Sequence, residues 1–576
     1  MSTILDCFLY RFGLSSYRKD VVLTGRGFLA SISSFQSLDW LVIGLYFAVV
    51  FAIVWWVVKK KQKSSVDYFL ASRHMGWFVI GASLFASNIG SEHLVGLAGS
   101  GAESGVAMAH YELHAWLLLV LGWVFVPFYC RSGVFTMPEF LEKRYSPASR
   151  WFLSMVSLIS YVLTKVSVAL YAGGIVFKAL FPENFFGGLD NFWVGALSVV
   201  ILTGIYTVLG GLRAVVYTDA MQAVVLIVGS FVVACVGLYK LGGWQKLYEL
   251  CGSEYFNLWK PYNDPDFPWP GMLFCAPIVG LWYWCTDQYI VQRTLSAENE
   301  TQARRGTIFG AYLKLTPVFI FIIPGMMAYA LAKSGRLELG GTDQAFPVLV
   351  MALLPAGLRG LVVAGLLAAL MSSLSSVFNS CSTLFTVDIY EKLHPGASEQ
   401  HLVRVGRIAT TVVVVLGVLW IPFMKYISEG LYKYLQSVQA YIAPPIAGVF
   451  LLGLFSRRIN SAGCLAGLVC GFVIGMSRLV AELYKKSLEG NAILYNFAGM
   501  NFLYFSVLLF LVCVLIIVLV SVVTPKPSID KLQGLTYATA TVEDKEKSRA
   551  SWNRFDVVNS LIILAIIAAV YLYFRG

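Results

Sequence analysis

The sequence predicts an all-α, multi-pass membrane protein made of two related five-helix halves, each opening on an interrupted helix. Three observations carry that reading. Charged residues are 13% of the chain and hydrophobic residues 58%, with a mean hydropathy of +0.72, whereas a soluble domain is about 25% charged. Fourteen apolar runs reach the length of about 20 residues that a helix needs to cross a bilayer. Two of those runs, at 76–100 and 271–294, carry polar and helix-weakening residues in their middle.

Residues 1–36 form an N-terminal extension without an assigned role, because Arg11, Arg18, Lys19 and Arg26 break its apolar pieces too early for a cleaved signal peptide. The predicted spans are 38–58, 76–100, 111–131, 151–181, 191–211, 214–241, 271–294, 305–333, 357–392, 401–423, 427–455, 461–484, 499–523 and 556–575. They divide the chain into a leading helix (37–60), a first five-helix repeat (76–241), an extracellular loop (242–270) and an inverted second repeat (271–455). Two further transmembrane helices (456–523), a cytoplasmic linker (524–554) and a last helix (555–576) follow. The linker, with Lys526, Lys531, Lys545 and Lys547, is polar enough to read as a mobile tether.

The net charge of +11 does not indicate nucleic acid, since the Lys and Arg residues cluster between apolar runs. Lys59 to Lys61, Arg131 with Lys143, Arg144 and Arg150, Arg304 with Arg305, and Arg457 with Arg458 fall on one side if spans alternate. The positive-inside rule makes that side cytoplasmic and both termini external. The ten cysteines show no paired ligand spacing and read as small buried packers.

In Phe78–Ser100, Asn88, Glu92 and His93 lie within two turns. A polar group stranded in hydrocarbon costs several kcal/mol, so these side chains must face the protein interior. Gly90 and Ser91 mark an unwound hinge whose freed carbonyls, at Ala86 and Ile89, can line a cavity. The second interruption joins Trp282, Tyr283 and Trp284 to Cys285, Thr286, Asp287 and Gln288, five spans later. Corresponding broken helices point to an inverted-repeat transporter with its site near the midplane; kinks made only for packing are the alternative.

The run AALMSSLSSVFNS places the hydroxyls of Ser372 and Ser373 beside the carbonyl of Ala369, and these oxygens suit a small hard cation. Serine faces also serve close helix packing in membranes, which stays open here. Ser375 and Ser376 lie three residues on, and Asp219 could add charge there for a second ion, or be solvated, or pair with Arg213.

Six segments together resemble the sodium/solute symporter family, in its sodium/glucose cotransporter branch. They are ASNIGSEHLVGLAGSG (86–101), LGWVFVPFYCRSGVFTMPEFLEKRY (121–145), YTVLGGLRAVVYTDAMQAVVL (206–226), LWYWCTDQYIVQRTLSA (281–297), LAALMSSLSSVFNSCSTLFTVDIY (367–390) and YIAPPIAGVFLLGLF (441–455). The resemblance implies a LeuT-type inverted 5+5 repeat with one helix before it and three after. It also implies sodium-coupled import of a glucose- or galactose-like hexose by alternating access. A first sodium site would use Ala86, Ile89, Ala369, Ser372 and Ser373, and a second, found in some relatives, Asp219, Ser375 and Ser376.

By the same resemblance Asn88, His93, Glu112, Lys314 and Gln436 would bind the sugar. Tyr283 and Trp284 would stack on it, Tyr283 serving as inner gate, with Leu97, Tyr111 and Tyr432 as outer gate. Gly280 departs from the Asn or Thr of relatives, and Lys433 from their uncharged or acidic residue. Inositol, sialic acid or a sugar acid stay open as substrates, as does an uncoupled sugar sensor or channel. No nucleophile and base pair or metal cluster marks an enzyme. The expected partners are sodium, the sugar and the lipid bilayer, with the chain acting as a monomer in the plasma (inner) membrane.

Overall fold

Backbone amides and carbonyls cannot be left unpaired in hydrocarbon, so apolar runs of this length close their hydrogen bonds internally as helices. The computed structural model describes residues 35–59, 64–90, 92–180, 190–424 and 431–575, with the side chains at 163, 167, 179, 420–424 and 431–434 outside that description. Among the described residues the structure is helical, with only two isolated β-bridges, Met75 to Ala297 and Asn257 to Arg575.

Among the described residues eleven helices are long and apolar enough to cross a membrane. The sequence count of fourteen differs for physical reasons. Asn191–Leu241 is interrupted at Gly211, where the backbone leaves helical geometry (φ 55°, ψ −158°) and a Cβ would meet the Tyr68 carbonyl oxygen at 2.6 Å, so it holds two predicted spans. Glu92–Ser132 likewise holds two, reversing at Gly105. The broken helix Trp269–Gly280 with Gln288–Leu295 is too short in each piece to be counted.

The helix Leu358–Thr383, carrying the four serines, is the axis of the bundle: its most apolar window is 94% buried. The windows of Ser37–Lys59, Phe502–Val523 and Arg554–Tyr573 are each 28% buried, so these three form the lipid-facing periphery. Arg359 pairs with Asp39 at 2.6 Å and ties the leading helix to that axis. At the opposite end Asp388 accepts from Arg150, Thr136 and Ser154, and Glu142 pairs with Arg150 and Lys392.

The linker is not a mobile tether. Its helix Val542–Ala550 docks through an Arg131–Asp544 pair at 3.1 Å, Ser548 and Ser551 donate to Glu300, and Lys531 donates to the Glu142 carbonyl. Tyr537 stacks on Phe455 at 5.0 Å and meets Phe128 edge-on at 4.7 Å. A few spaced anchors outweigh the average polarity of the segment. The cysteine expectation needs a similar correction: Cys130 and Cys470 are exposed and Cys235 is partly so, while Cys251, Cys275, Cys285, Cys381, Cys464 and Cys513 are buried.

Candidate functional site: a buried cavity between two broken helices

The first hinge helix, Trp77–Asn88, ends where Ile89 turns extended (φ −80°, ψ 99°), and helix resumes as a wide turn at Glu92–Leu97. Ser91 lies outside the described residues. In the second, the wide turn Leu281–Thr286 follows Trp269–Gly280, and Asp287 (φ −80°, ψ 127°) caps Gln288–Leu295 through the Tyr289 amide. The Tyr161 hydroxyl donates to Asp287, and that of Tyr289 to the Ser87 carbonyl, so the second break is fastened to the first.

Between the breaks lies a cavity lined by Asn88, His93, Tyr111, Glu112, Tyr283, Trp284, Lys314 and Gln436, all predicted, by Glu92, which the sequence turns inward without a ligand role, and by His114, Lys165 and Gln439, which it does not single out. Glu112 is completely buried and anchors the polar wall: one oxygen lies 2.6 Å from Lys314 Nζ, the other 3.3 Å from His93 Nε2. Asn88 Nδ2 is 3.4 Å from the same His93 nitrogen. Lys314 also stands 5.4 Å from the Trp284 ring centre. The opposite wall is aromatic, with the Lys165 ammonium 4.3 Å from the Tyr283 ring and 4.5 Å from the Tyr289 ring. Such a wall offers ring faces for an apolar surface and charged donors and acceptors for hydroxyls.

Leu97 is buried but is not among the lining residues. Tyr432 and Lys433 begin the helix Leu431–Phe455, and their side chains lie outside the described residues. At Gly280 a Cβ would lie 2.3 Å from Leu117 Cδ1. Leu117 therefore fills the space into which a larger residue at 280 would reach.

The structure divides the serines differently from the sequence grouping. Ser373 Oγ lies 3.3 Å from the carbonyl oxygens of both Ile89 and Ser87, at the hinge. Ser372 turns away and donates to Asp219 Oδ1 at 2.6 Å. Neighbouring helical residues point about 100° apart, so the pair serves two places rather than one. Asp219 Oδ2 accepts from Ser83 at 2.6 Å and Ser87 at 3.1 Å, so serine hydroxyls, not Arg213, take both its oxygens. Ser376 Oγ sits 2.9 Å from Ser87 Oγ, close to this cluster, whereas Ser375 donates back to the Ser372 carbonyl of its own helix. Ala86 and Ala369 are buried on the two facing helices. Ser83 and Ser87, four apart on one helix face, were the legible signal for the extra ligands of Asp219.

A membrane-spanning helical bundle with two broken helices around a buried polar cavity is a secondary transporter. The fold is shared with a solved Na+-coupled sialic acid symporter in a substrate-bound outward-open state: the TM-score is 0.73 at 22% identity, covering 86% of this chain and 99% of that one. A closed nucleobase-cation-symport-1 family transporter matches with a TM-score of 0.50 at 14% identity, covering 81% and 97%. These likenesses place the chain in the LeuT-type inverted-repeat class.

The chain belongs to the sodium:solute symporter family, whose model matches residues 68–471. It is 40% identical to sodium/glucose cotransporter 1 of Ovis aries, over 85% of this chain and 79% of that protein. It is 39% identical to solute carrier family 5 member 4A of Mus musculus (89% and 81% covered) and 38% identical to sodium/glucose cotransporter 4 of Mus musculus (91% and 81%). Family membership makes it a sodium-coupled transporter and not an enzyme.

Proposed function

We propose that the chain imports a neutral glucose- or galactose-like hexose with two sodium ions per sugar, by alternating access. The observation that carries this reading is the cavity itself. Glu112, Lys314, His93 and Asn88 offer charged and amide groups to sugar hydroxyls, Tyr283 and Trp284 offer ring faces, and the Ile89 carbonyl beside Ser373 stands one turn away. The names of the sugar-transporting relatives support the same substrate class.

In this reading the first sodium lies among Ala86, Ile89, Ala369 and Ser373, with Ser373 the side chain nearest the hinge carbonyls, while Ser372 serves Asp219. The second lies at Asp219 with Ser376, joined by Ser83 and Ser87. Gln436 completes the sugar site, Leu97, Tyr111 and Tyr432 close it from outside, and Tyr283 from inside. Sodium fixes the hinge against the serine helix, and the ordered hinge presents Asn88 and His93 to the sugar. The protein works as a monomer in the plasma membrane with both termini outside, and its repeats run over 76–241 and 271–455.

The ion count sets the accumulation. One sodium crossing about 100 mV contributes roughly 2.3 kcal/mol, and a tenfold gradient about 1.4 kcal/mol more. One ion then sustains about 500-fold accumulation and two about 10⁵-fold. Radiolabelled uptake into proteoliposomes across a sugar panel, with choline replacing sodium in parallel, tests the proposal. Hexose uptake that needs sodium is expected; hexose uptake indifferent to choline replacement refutes it.

A further inference from the structure

Glu92 opens the second half of the first broken helix, three residues beyond Ile89, and its carboxylate folds back over Gly90. A Cβ placed on Gly90 would meet Glu92 Oε2 at 2.4 Å and Ser373 Oγ at 2.6 Å, so those two oxygens lie within about 5 Å of each other. Ser373 Oγ is itself 3.3 Å from the Ile89 and Ser87 carbonyls. A carboxylate, a hydroxyl and two carbonyl oxygens therefore border one small space. That is a hard-oxygen set with a net negative charge, which holds a cation more tightly than a neutral set does.

The same carboxylate lines the solute cavity on its other side, together with Lys165. The Lys165 side chain is 92% buried, counting from its 8% exposure, and its ammonium rests on the faces of Tyr283 and Tyr289. A buried ammonium in such a place needs a compensating acid or an acceptor. Of the two carboxylates that line the cavity, Glu112 is paired with Lys314 and His93, and Glu92 is the other. Tyr289 in turn donates to the Ser87 carbonyl beside Ser373. Sodium site, Glu92, Lys165 and the Tyr283 gate thus form one connected series.

We infer that Glu92 is a charged flank of the first sodium site, and that sodium and the Lys165 ammonium compete for it. With the site empty, Glu92 compensates Lys165, which holds Tyr283 and Tyr289 together. Sodium arriving beside Glu92 takes up that charge, and Lys165 turns its donors to a solute hydroxyl in the cavity. Sodium then prepares the solute site through charge as well as through the hinge backbone. This inference rests on the sodium-symport reading above.

The test is calorimetric titration of NaCl into the purified, full-length protein without solute, against choline chloride. Glu92→Gln keeps the shape and removes the charge, and its sodium affinity is expected to fall about tenfold or more. Glu92→Asp is expected to stay within about threefold of the parent, and Lys165→Gln, lacking the competing ammonium, to bind sodium several-fold more tightly. Should Glu92→Gln not fold, Lys165→Gln decides: a sodium affinity equal to or weaker than the parent's overturns the competition. Sodium binding by Glu92→Gln within twofold of the parent overturns this inference alone, because Glu92 would then serve the solute only. Absence of sodium binding in the parent overturns the symport reading beneath it.

Discussion

The Glu112–Lys314 pair is the most exacting place to test how the cavity is built. At 2.6 Å and an effective dielectric of 20, the attraction is about 6 kcal/mol. Desolvation of the two ions offsets several kcal/mol each, so the pair as a whole adds little net stability. Removing one partner is a different matter, because the other stays buried and uncompensated, at a cost of about 3–5 kcal/mol. Lys314→Met leaves Glu112 with His93 alone, while Glu112→Gln leaves Lys314 facing the Trp284 ring without its carboxylate. Each single variant should therefore melt well below the parent in thermal unfolding of the detergent-solubilised protein. The double variant Glu112→Gln/Lys314→Met should recover most of that loss, with a coupling of about 2–3 kcal/mol, yet still fail to transport. Additive losses in the double variant would refute the pair as a buried unit; full transport by it would refute its place in the sugar site.

Ser373→Ala should raise the sodium concentration for half-maximal uptake about tenfold or more, since it deletes the hydroxyl facing the Ile89 carbonyl; an unchanged sodium titration refutes that role. Reversal potentials should give two charges per sugar in the parent and one in Asp219→Asn, and one charge in the parent removes the second sodium. Gly280→Ala should destabilise by no more than about 1 kcal/mol, because Leu117 Cδ1, 2.3 Å from the added Cβ, is a side-chain end that can turn aside. Leu117→Ala, which opens a cavity at a buried position, should cost about 2–5 kcal/mol, and a Gly280→Ala protein that loses as much contradicts the packing. Tyr537→Ala removes the ring between Phe455 and Phe128, so limited proteolysis within 524–554 should quicken; an unaltered cleavage rate contradicts docking of the linker.

The two broken helices were legible because physics leaves few other uses for Asn88, Glu92 and His93 in an apolar run, or for Cys285–Gln288 behind three aromatics. Lys314 was visible as a charge at membrane depth. Lys165 meets the same criterion, but only the tertiary fold turns its span toward Tyr283 and Tyr289. Ser372 and Ser373 read as a pair because sequence lists neighbours, whereas a helix rotates them onto different faces. Ser375 illustrates the same limit, since a hydroxyl can return to its own helix. The linker misled through its mean polarity: Tyr537 and Trp552 are few, but each finds an aromatic partner on the bundle. Gly211 was legible in the same way as the broken helices, for the point where the sequence separates two spans is where the backbone leaves helical geometry.

The central claim is that one short segment, from Ala86 to His93, serves both ligands, so that ordering by sodium is what makes the sugar site. Isothermal titration of glucose into the purified protein, in saturating sodium and again in choline, tests it most directly. The account predicts binding in sodium that is lost in choline, and an Asn88→Ala variant that keeps its sodium heat while losing its sugar heat. Equal glucose affinity with and without sodium would contradict it.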